Sequence, residues 1–321
     1  MFLESRAELG DTVFVARAGR QEMPLGRTAR WVSLRDGMNV RQTFDLVRLT
    51  SSGRSWSNET FLGAVPALER GAFDDGLGLE NRFWGSYWTF DVLARRRLSV
   101  EAFYLGRTRP LVVYADVSGR EVRHMFGTRI DGALDSGLEY ALHALLQTGS
   151  AASASIRAWG FAGAALQRLP GILSRGWIGV RADALSGDAH PGDGRVGTFH
   201  PFFPAPQFFG AVGAIYPSNL YAVHPLFQLR AERVTMEAGC TFFWRQSTED
   251  AVYTMPGRVL ASPTASDARF TAAQASVTLG HIVSRHFSVN AGWSHVVAGP
   301  SIRAATGRDV DWFGTWTTFT Y

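Results

Sequence analysis

Five arginines fall on one face of predicted β-strands, and their chemistry suits the weak binding of carboxylates. They are Arg123, Arg129, Arg181, Arg230 and Arg245. A planar guanidinium matches a carboxylate bidentately, and rings of charge in a pore must both attract and release an ion. Acidic neighbours that would prevent overly tight binding are Glu121, Asp183, Glu232 and Glu237. An equally weighted alternative is that these charges only solvate a lumen and pair across strands, as in any porin.

A second charged stretch, GRQEMPLGRTARWVSLRDGMNVRQTFD, lies between two predicted strands. Its candidate pore-lining residues are Arg20, Glu22, Arg27, Arg41 and Asp45. The stretch could fold into a lumen as a constriction, although a solvated external loop is the favoured interpretation. A later loop carries Phe199, Phe202, Phe203, Phe208 and Phe209. These rings could form a lid or stack on sugars, and packing of the loop on itself is slightly favoured.

No pattern in the sequence indicates catalysis or a metal. Serine, histidine and aspartate occur without a nucleophile-elbow motif, and no histidine or cysteine cluster has zinc spacing. Asp188 and Asp193 could offer oxygen ligands to Ca²⁺, but their spacing is not that of an EF-hand and an ordinary polar loop is favoured. We therefore expect no enzyme activity and no cofactor. The net charge of +4 does not argue for a nucleic-acid partner.

The composition describes a membrane protein built from strands. Hydrophobic residues make up 46% of 321, mean hydropathy is −0.03, and no apolar run approaches the ~20 residues of a spanning helix. There are 22 Phe, 10 Trp, 8 Tyr and 34 Gly, as in a barrel with aromatic girdles. A β-propeller would show a repeat of ~40–50 residues, and none is visible. All 32 basic residues are arginine, which a GC-rich genome explains more simply than a function.

About fifteen strands are predicted, joined alternately by short turns and longer loops. Their ranges are 2–9, 12–19, 41–50, 55–64, 83–93, 98–107, 120–130, 138–147, 152–166, 177–185, 221–231, 234–246, 268–282, 287–297 and 309–321. Most have one apolar and one charged face, which fits lipid outside and water inside, or equally a soluble sandwich. The loop asymmetry and strand lengths of ~9–11 residues favour an outer-membrane barrel. So does the last strand, DVDWFGTWTTFTY, which ends in the aromatic Tyr321.

The start of the chain predicts a missing segment. MFLESRAELGD has no basic region, apolar region or cleavage site, so it is not a signal peptide. If the last strand ends in the periplasm, the first strand also runs downward, whereas single-chain barrels usually begin upward with an even strand number. We therefore expect an odd number of strands and a signal peptide upstream of Met1.

The order of motifs carries a resemblance that spans essentially the whole chain. The motifs are RAGRQEMPLGRTARWVSLRDGMNVRQTFDLVRL, FYLGRTRPLVVYADVSGREVRHMFGTRIDG, GVRADALSGD, GDGRVGTFHPFFPAPQFFG, PSNLYAVHPLFQL, TFFWRQSTEDAVY, HIVSRHFSVNAGWSHVVAGPSIRAATG and RDVDWFGTWTTFTY. This order resembles the bacterial alginate export family of outer-membrane barrels. The resemblance implies an eighteen-stranded barrel with an arginine-lined lumen for a linear anionic polysaccharide. Residues 1–321 would then be one barrel domain with about fifteen of eighteen strands.

The leading hypothesis is an outer-membrane channel that passes an alginate-like polyuronate by passive diffusion. Its expected partners are an anionic polysaccharide or sugar acid, outer-membrane lipid and periplasmic export machinery. Three alternatives stay open: a general or sugar-acid porin, an outer-membrane enzyme such as a phospholipase or protease, and a truncated remnant that neither inserts nor conducts. Fold alone does not decide among substrates.

Overall fold

The computed structural model describes most of the chain. The described residues are 2–35, 41–69, 71, 74–93, 97–171, 175–205, 208–210, 212–305 and 307–320. The C-terminal Tyr321, predicted above to end the last strand, lies outside them.

One antiparallel sheet of fifteen consecutive neighbours forms the wall of the molecule. Its strands are β1 (Phe2–Leu9), β2 (Thr12–Gln21), β3 (Phe44–Ser52), β4 (Trp56–Ala64), β5 (Arg82–Leu93), β6 (Leu98–Val113), β7 (Ser118–Ala133), β8 (Leu138–Ala151), β9 (Ala154–Arg168), β10 (Gly176–Leu185), β12 (Leu220–Arg230), β13 (Val234–Trp244), β16 (Phe270–Ser284), β17 (Phe287–Ala298) and β18 (Val310–Phe319). Each pairs with the next along the chain, apart from the small elements inside loops. The prediction of about fifteen antiparallel strands is confirmed.

The loops contain a few further short elements. They are β11 (Arg195–Val196), the hairpin of β14 (Val252–Thr254) and β15 (Arg258–Ala261), a 3-10 turn at Pro263–Ala265, and the helix α1 (Pro300–Ala305). β11 pairs in parallel with β9 and extends the sheet to sixteen strands. None of the helices in the described ranges is long and apolar enough to cross a membrane.

The apolar faces of the wall strands point outward. In β8, Leu142 and Leu146 are 58% and 60% exposed, whereas the intervening Leu145 faces inward and is buried. Such alternation follows from the two-residue period of a strand. Because the outward face carries large exposed apolar side chains, the arrangement matches lipid outside and rules out the soluble sandwich considered above.

Short turns and long connections alternate over most of the sheet, as predicted, but the β6–β7 and β8–β9 connections (114–117 and 152–153) are short where a loop over 108–119 and a brief loop were expected. Outer-membrane barrels keep short turns in the periplasm and long loops outside. β6, β7 and β8 are longer than predicted, at 16, 16 and 14 residues, because the ladder continues into ranges that we assigned to loops. At the two ends of the path, β1 pairs with β2 and β18 with β17, and the described residues contain no pairing between β1 and β18.

Two long connections fold inward and fill the long-loop half of the interior. The β2–β3 loop (22–43) buries Met23, Trp31 and Val32, and an isolated parallel bridge joins Val32 to Phe203 of the β10–β12 loop (186–219). Trp31, Phe44, Phe83, Phe199, Phe202 and Phe203 are all nearly inaccessible, and we call them the aromatic plug. The expectation of a solvated external β2–β3 loop was wrong, because its apolar residues gain more from burial than from solvation.

The phenylalanines of the β10–β12 loop also pack differently from the favoured expectation. Phe203 lies edge-to-face on Phe83 at 4.9 Å and on Phe44 at 5.0 Å between ring centroids, so the loop packs on the wall strands. Phe208 and Phe209 contact each other at 4.8 Å, and Phe209 also contacts Phe243 of the wall at 5.2 Å. Self-packing is therefore only part of the arrangement.

Phe83→Ala should open the plug. Phe83 lies at its centre, within 4.8–5.3 Å of Phe44, Phe61 and Phe203, so truncation should lower the free energy of unfolding by about 3–5 kcal/mol. We expect faster chymotrypsin cleavage after Phe208 in the folded protein in vesicles. The matched control is Phe313→Ala, which removes an outward ring that is 70% exposed and should leave the loop protected. Equal cleavage of the two variants would contradict this role for Phe83.

Candidate substrate-binding site

A cavity of about 640 Å³ lies in the interior beside the short-turn end of the wall. Among the described residues, six arginines line it, against two carboxylates. The arginines are Arg27, Arg30, Arg97, Arg129, Arg181 and Arg230, and the carboxylates are Asp131 and Glu139. We call this space the arginine cavity. Its lining combines inward residues of β7, β8, β10 and β12 with residues of the two inward loops.

Three wall arginines of the cavity are held by carboxylates of the wall strands, two of them across intervening strands. Arg181 donates two hydrogen bonds to Glu237, at 2.8 and 2.7 Å. Arg230 donates to Glu139 at 2.9 Å, and its guanidinium lies 4.5 Å from the ring centroid of Trp177. Such pairs fix the direction of each guanidinium while leaving some of its five N–H groups for a further anion.

Arg129 is the most buried of these wall arginines. It donates to Asp131 at 2.6 Å and lies 3.4 Å from Glu101, and it is only 5% exposed. A buried cation between two carboxylates compensates for part of its desolvation through these contacts. Its remaining contact with the cavity makes it a fixed positive charge in the lining.

The β2–β3 loop closes the cavity toward the aromatic plug. Arg30 pairs with Asp183 of β10, and its guanidinium lies 4.1 Å from the ring centroid of Phe208. Arg27 pairs with Asp91 near the end of β5. The two arginines therefore bridge opposite parts of the wall from a loop that passes through the interior.

Arg97 differs from the other arginines of the cavity. It follows the β5–β6 turn, is exposed, and has no ion-pair partner among the residues that the structure describes. An exposed guanidinium without such a pair at the short-turn end can meet an anion before the paired arginines do.

Glu101 anchors the β2–β3 loop to the wall. Its carboxylate accepts hydrogen bonds from the hydroxyl of Tyr87 at 2.6 Å and from the backbone N–H of Arg27 at 2.9 Å. Gly26 permits this approach, because its φ of +74° favours glycine and a Cβ there would lie 2.3 Å from the Tyr87 oxygen.

A buried ion-pair cluster anchors the β10–β12 loop at the other end of the interior. Glu121 accepts from Arg109 at 2.7 and 3.0 Å and from Arg123 at 3.0 and 3.1 Å, and it also accepts from the hydroxyl of Tyr114. Burial raises the pKa of Tyr114 to about 12, so its phenol stays protonated and donates. Arg123 is fully buried and donates to the backbone carbonyl of Thr198 at 3.0 Å. Arg123 thus holds the loop and does not line the arginine cavity.

His200 joins the same cluster as a neutral imidazole. Arg109 Nη1 lies 2.8 Å from Nε2, and Nδ1 lies 2.7 Å from the carbonyl of Pro201. Since a guanidinium can only donate, Nε2 accepts and Nδ1 carries the proton. Burial, followed by the charge of Arg109, holds the pKa of His200 well below its usual range.

The other residues predicted to line the pore lie away from the arginine cavity. Arg245 is buried and donates to the carbonyls of Thr248, Ser266 and Ala268, so it fixes the β13–β16 connection. Arg20 makes two hydrogen bonds of 2.8 Å to Asp45 and a third to Asp75 at 3.2 Å. Glu22 and Arg41 form an exposed pair at 3.2 Å.

Arg20 and Glu22 line a separate cavity of about 950 Å³ near β1 and β2.

Sequence reasoning missed Arg30, Arg97 and Glu139 as cavity residues. Arg30 and Arg97 lie in connections, where strand alternation gives no facing direction. Glu139 was assigned to the charged face of its strand but was not singled out.

Asp188 and Asp193, which were considered as oxygen ligands for Ca²⁺, accept hydrogen bonds from backbone N–H groups of their own loop. Asp188 accepts from the backbone N–H groups of His190 and Gly197, which occupy its carboxylate oxygens. Within the described ranges, no group of three or more His, Cys, Asp or Glu side chains could hold a metal ion.

A family model described as alginate export matches residues 1–314. The chain belongs to the alginate export family. It is therefore a channel of the bacterial outer membrane, with transport rather than catalysis as its role. No curated protein sequence matches this member of the alginate export family.

The crystal structure of Pseudomonas aeruginosa OccK11, an outer-membrane channel, is similar in fold. The TM-score is 0.58 at 12% identity, and the match covers 99% of this chain and 80% of OccK11. At this identity the likeness shows only the fold, which is that of an antiparallel outer-membrane β-barrel.

Glu121→Gln should loosen the β10–β12 loop. Because Arg109 and Arg123 would remain buried without their carboxylate, we expect the free energy of unfolding to fall by about 3–5 kcal/mol. Denaturant unfolding in vesicles followed by tryptophan fluorescence measures this change. Glu232→Gln is the control, since its pair with Arg175 at 3.8 Å is exposed and should contribute little. A loss no larger than that of the control would contradict the anchoring role.

The loop should become less stable as pH falls. The pKa of His200 is lowered in the folded protein, so the unfolded chain binds more protons below its ordinary value of about 6.5. Stability should therefore fall as pH drops through about 6.5, with a slope of up to ~1.4 kcal/mol per pH unit. His200→Gln, which can still accept from Arg109, should remove that part of the dependence. Chymotrypsin cleavage of the loop between pH 8 and pH 5 checks this, and an unchanged profile would contradict it.

Proposed function

We propose that this channel passes an anionic polysaccharide, an alginate-like polyuronate, by passive diffusion through a lumen whose binding region is the arginine cavity. The observation that carries the proposal is the excess of arginines over carboxylates in that lining. A polyuronate presents one carboxylate per sugar, and each guanidinium offers a matching pair of donors.

The ion pairs of the cavity suit passage better than capture. Glu237 and Glu139 already occupy part of the donor sets of Arg181 and Arg230, so an arriving carboxylate competes with them. Competition lowers the affinity at each site, and conduction requires sites that also release their ion. Trp177, over whose ring the Arg230 guanidinium lies, helps to hold that guanidinium in place.

Passage also requires movement of the inward loops. The aromatic plug lies between the arginine cavity and the long-loop end, and it consists partly of side chains from the β2–β3 and β10–β12 loops. Both loops are tied to the wall by a few buried carboxylates, Glu101 and Glu121. Displacement of loops is a common way for such proteins to open.

Planar-bilayer conductance of the full chain tests this function. We expect single-channel conductance steps that prefer anions. Polyuronate should block them, and a neutral glucan should not. Arg129→Ala with Arg181→Ala should reduce the anion preference and weaken the block by roughly tenfold, the loss of a charge-assisted contact. The control is Arg233→Ala, an exposed arginine at the β12–β13 turn outside the cavity lining.

Three other outcomes would overturn the proposal. Large conductance steps that neither polymer changes would indicate a general porin. Block by monomeric uronates with no added effect of polymer indicates a sugar-acid porin. Absence of conductance from protein that inserts and folds indicates a remnant that does not transport.

A further inference from the structure

The outward face of β5 to β9 carries three features in order along the strands. Nearest the middle is an apolar groove, then a hydrogen-bonded aromatic group, and a basic patch extends from the level of that group toward the long-loop end. Cross-strand register fixes this order. Phe126 of β7 is aligned with Tyr104 and Leu146, and His124, two residues nearer the long-loop end, is aligned with Thr148.

The groove has a volume of about 580 Å³ and an almost wholly apolar lining. Its walls are large outward side chains and its floor includes the small residues Ala102 and Ala144. The walls are Trp88, Tyr104, Phe126, Leu146 and Phe161. A narrow apolar groove on a face that contacts lipid is shaped for a hydrocarbon chain.

The aromatic group lies directly beyond the groove. Trp84 donates its Nε1–H to the hydroxyl of Tyr104 at 3.0 Å, and this hydroxyl lies 2.8 Å from Nδ1 of His124. The rings of Tyr104 and His124 stack with centroids 5.9 Å apart. Aromatic side chains with polar tips mark the level where hydrocarbon gives way to headgroups.

The basic patch consists of Arg120, Arg157 and Arg195. All three are exposed, and none has an ion-pair partner in the part of the chain that the structure describes. Arg157 is aligned with Thr148 on β8, and Arg195 on β11 pairs in parallel with Ser155. Arg157 and Arg195 are thus on adjacent strands, offset by two residues.

Two carboxylates near the patch are engaged elsewhere. Asp193 accepts from the backbone N–H of Arg195 at 2.8 Å, and Asp116 accepts from that of Gly192 at 2.7 Å. Both stabilise the turn that carries β11, and neither is within ion-pair distance of the three guanidinium groups.

We propose that this face binds one phosphorylated lipid of the outer leaflet. Its phosphate contacts Arg157 and Arg195, with Arg120 at the margin, and one acyl chain lies in the groove. Arg157 and Phe161 are four residues apart on β9, about 13 Å along the strand, a span that the sugar and ester region of such a lipid covers. Guanidinium groups recognise phosphate bidentately, and basic pockets on membrane proteins bind anionic headgroups.

Charge and apolarity together select this occupant. A free phosphate uses the arginines but leaves the groove unused, and a neutral lipid does the reverse. A phosphorylated lipid satisfies both parts at once, and the long-loop end of the wall faces the leaflet that contains it. The site lies outside the lumen, so it does not depend on the transported substrate.

Native mass spectrometry of the full chain, released from detergent, measures the binding. The probes are lipid A carrying both phosphates, lipid A with the phosphates removed, and inorganic phosphate as competitor. Arg157→Gln with Arg195→Gln should weaken binding of phosphorylated lipid A by at least about tenfold. Ala102→Phe, which fills the groove without altering charge, should weaken it as well.

Arg233→Gln, an exposed arginine at the opposite end of the wall, is the control and should bind as the unaltered chain does. Heat-dependent migration on gels verifies that each variant is folded. Equal binding of the two lipid A forms, equal losses in the control, or displacement of the lipid by inorganic phosphate would each overturn the proposal. Unaltered binding by Ala102→Phe would show that no acyl chain lies in the groove, and this would also overturn the proposal.

Discussion

Glu121 is the buried charge on which the arrangement of the interior depends. It has two guanidinium partners and one phenol, and through Arg123 and His200 it connects β7 to the β10–β12 loop. Buried charges of one sign would be prohibitive there, and the carboxylate makes the two arginines tolerable. Because the loop is held at that point, its phenylalanines reach Phe44 and Phe83, and the aromatic plug forms.

Alternation and turn chemistry were sufficient to predict most of the wall. β1 was predicted with its observed bounds, since the tight Gly10–Asp11 turn fixes where the strand ends. β6 was predicted too short because Pro110 and polar neighbours indicate a loop. In the structure Arg109 still pairs with Glu121 and Pro110 falls in the register shift that follows, so the hairpin continues past the proline.

The site was harder to predict than the wall. Alternation identifies the face on which Arg181 lies, but its partner Glu237 is on another strand and depends on register. Arg30 and Arg97 lie in connections, whose paths depend on contacts far away in sequence. The same limit explains why the β2–β3 loop was expected outside: its charges are visible in the sequence, but the aromatic surface that buries Trp31 is assembled only by folding.

Both inward loops leave and rejoin the wall strands at the long-loop end, whereas the arginine cavity faces the short-turn end. The two entrances are therefore chemically unlike. A polyanion arriving from the short-turn end meets cations first and the hydrophobic obstruction second, and one arriving from the other end meets the obstruction first. From the short-turn end the charged surface precedes the apolar one, and from the long-loop end the order is reversed, so the interior is asymmetric along its length.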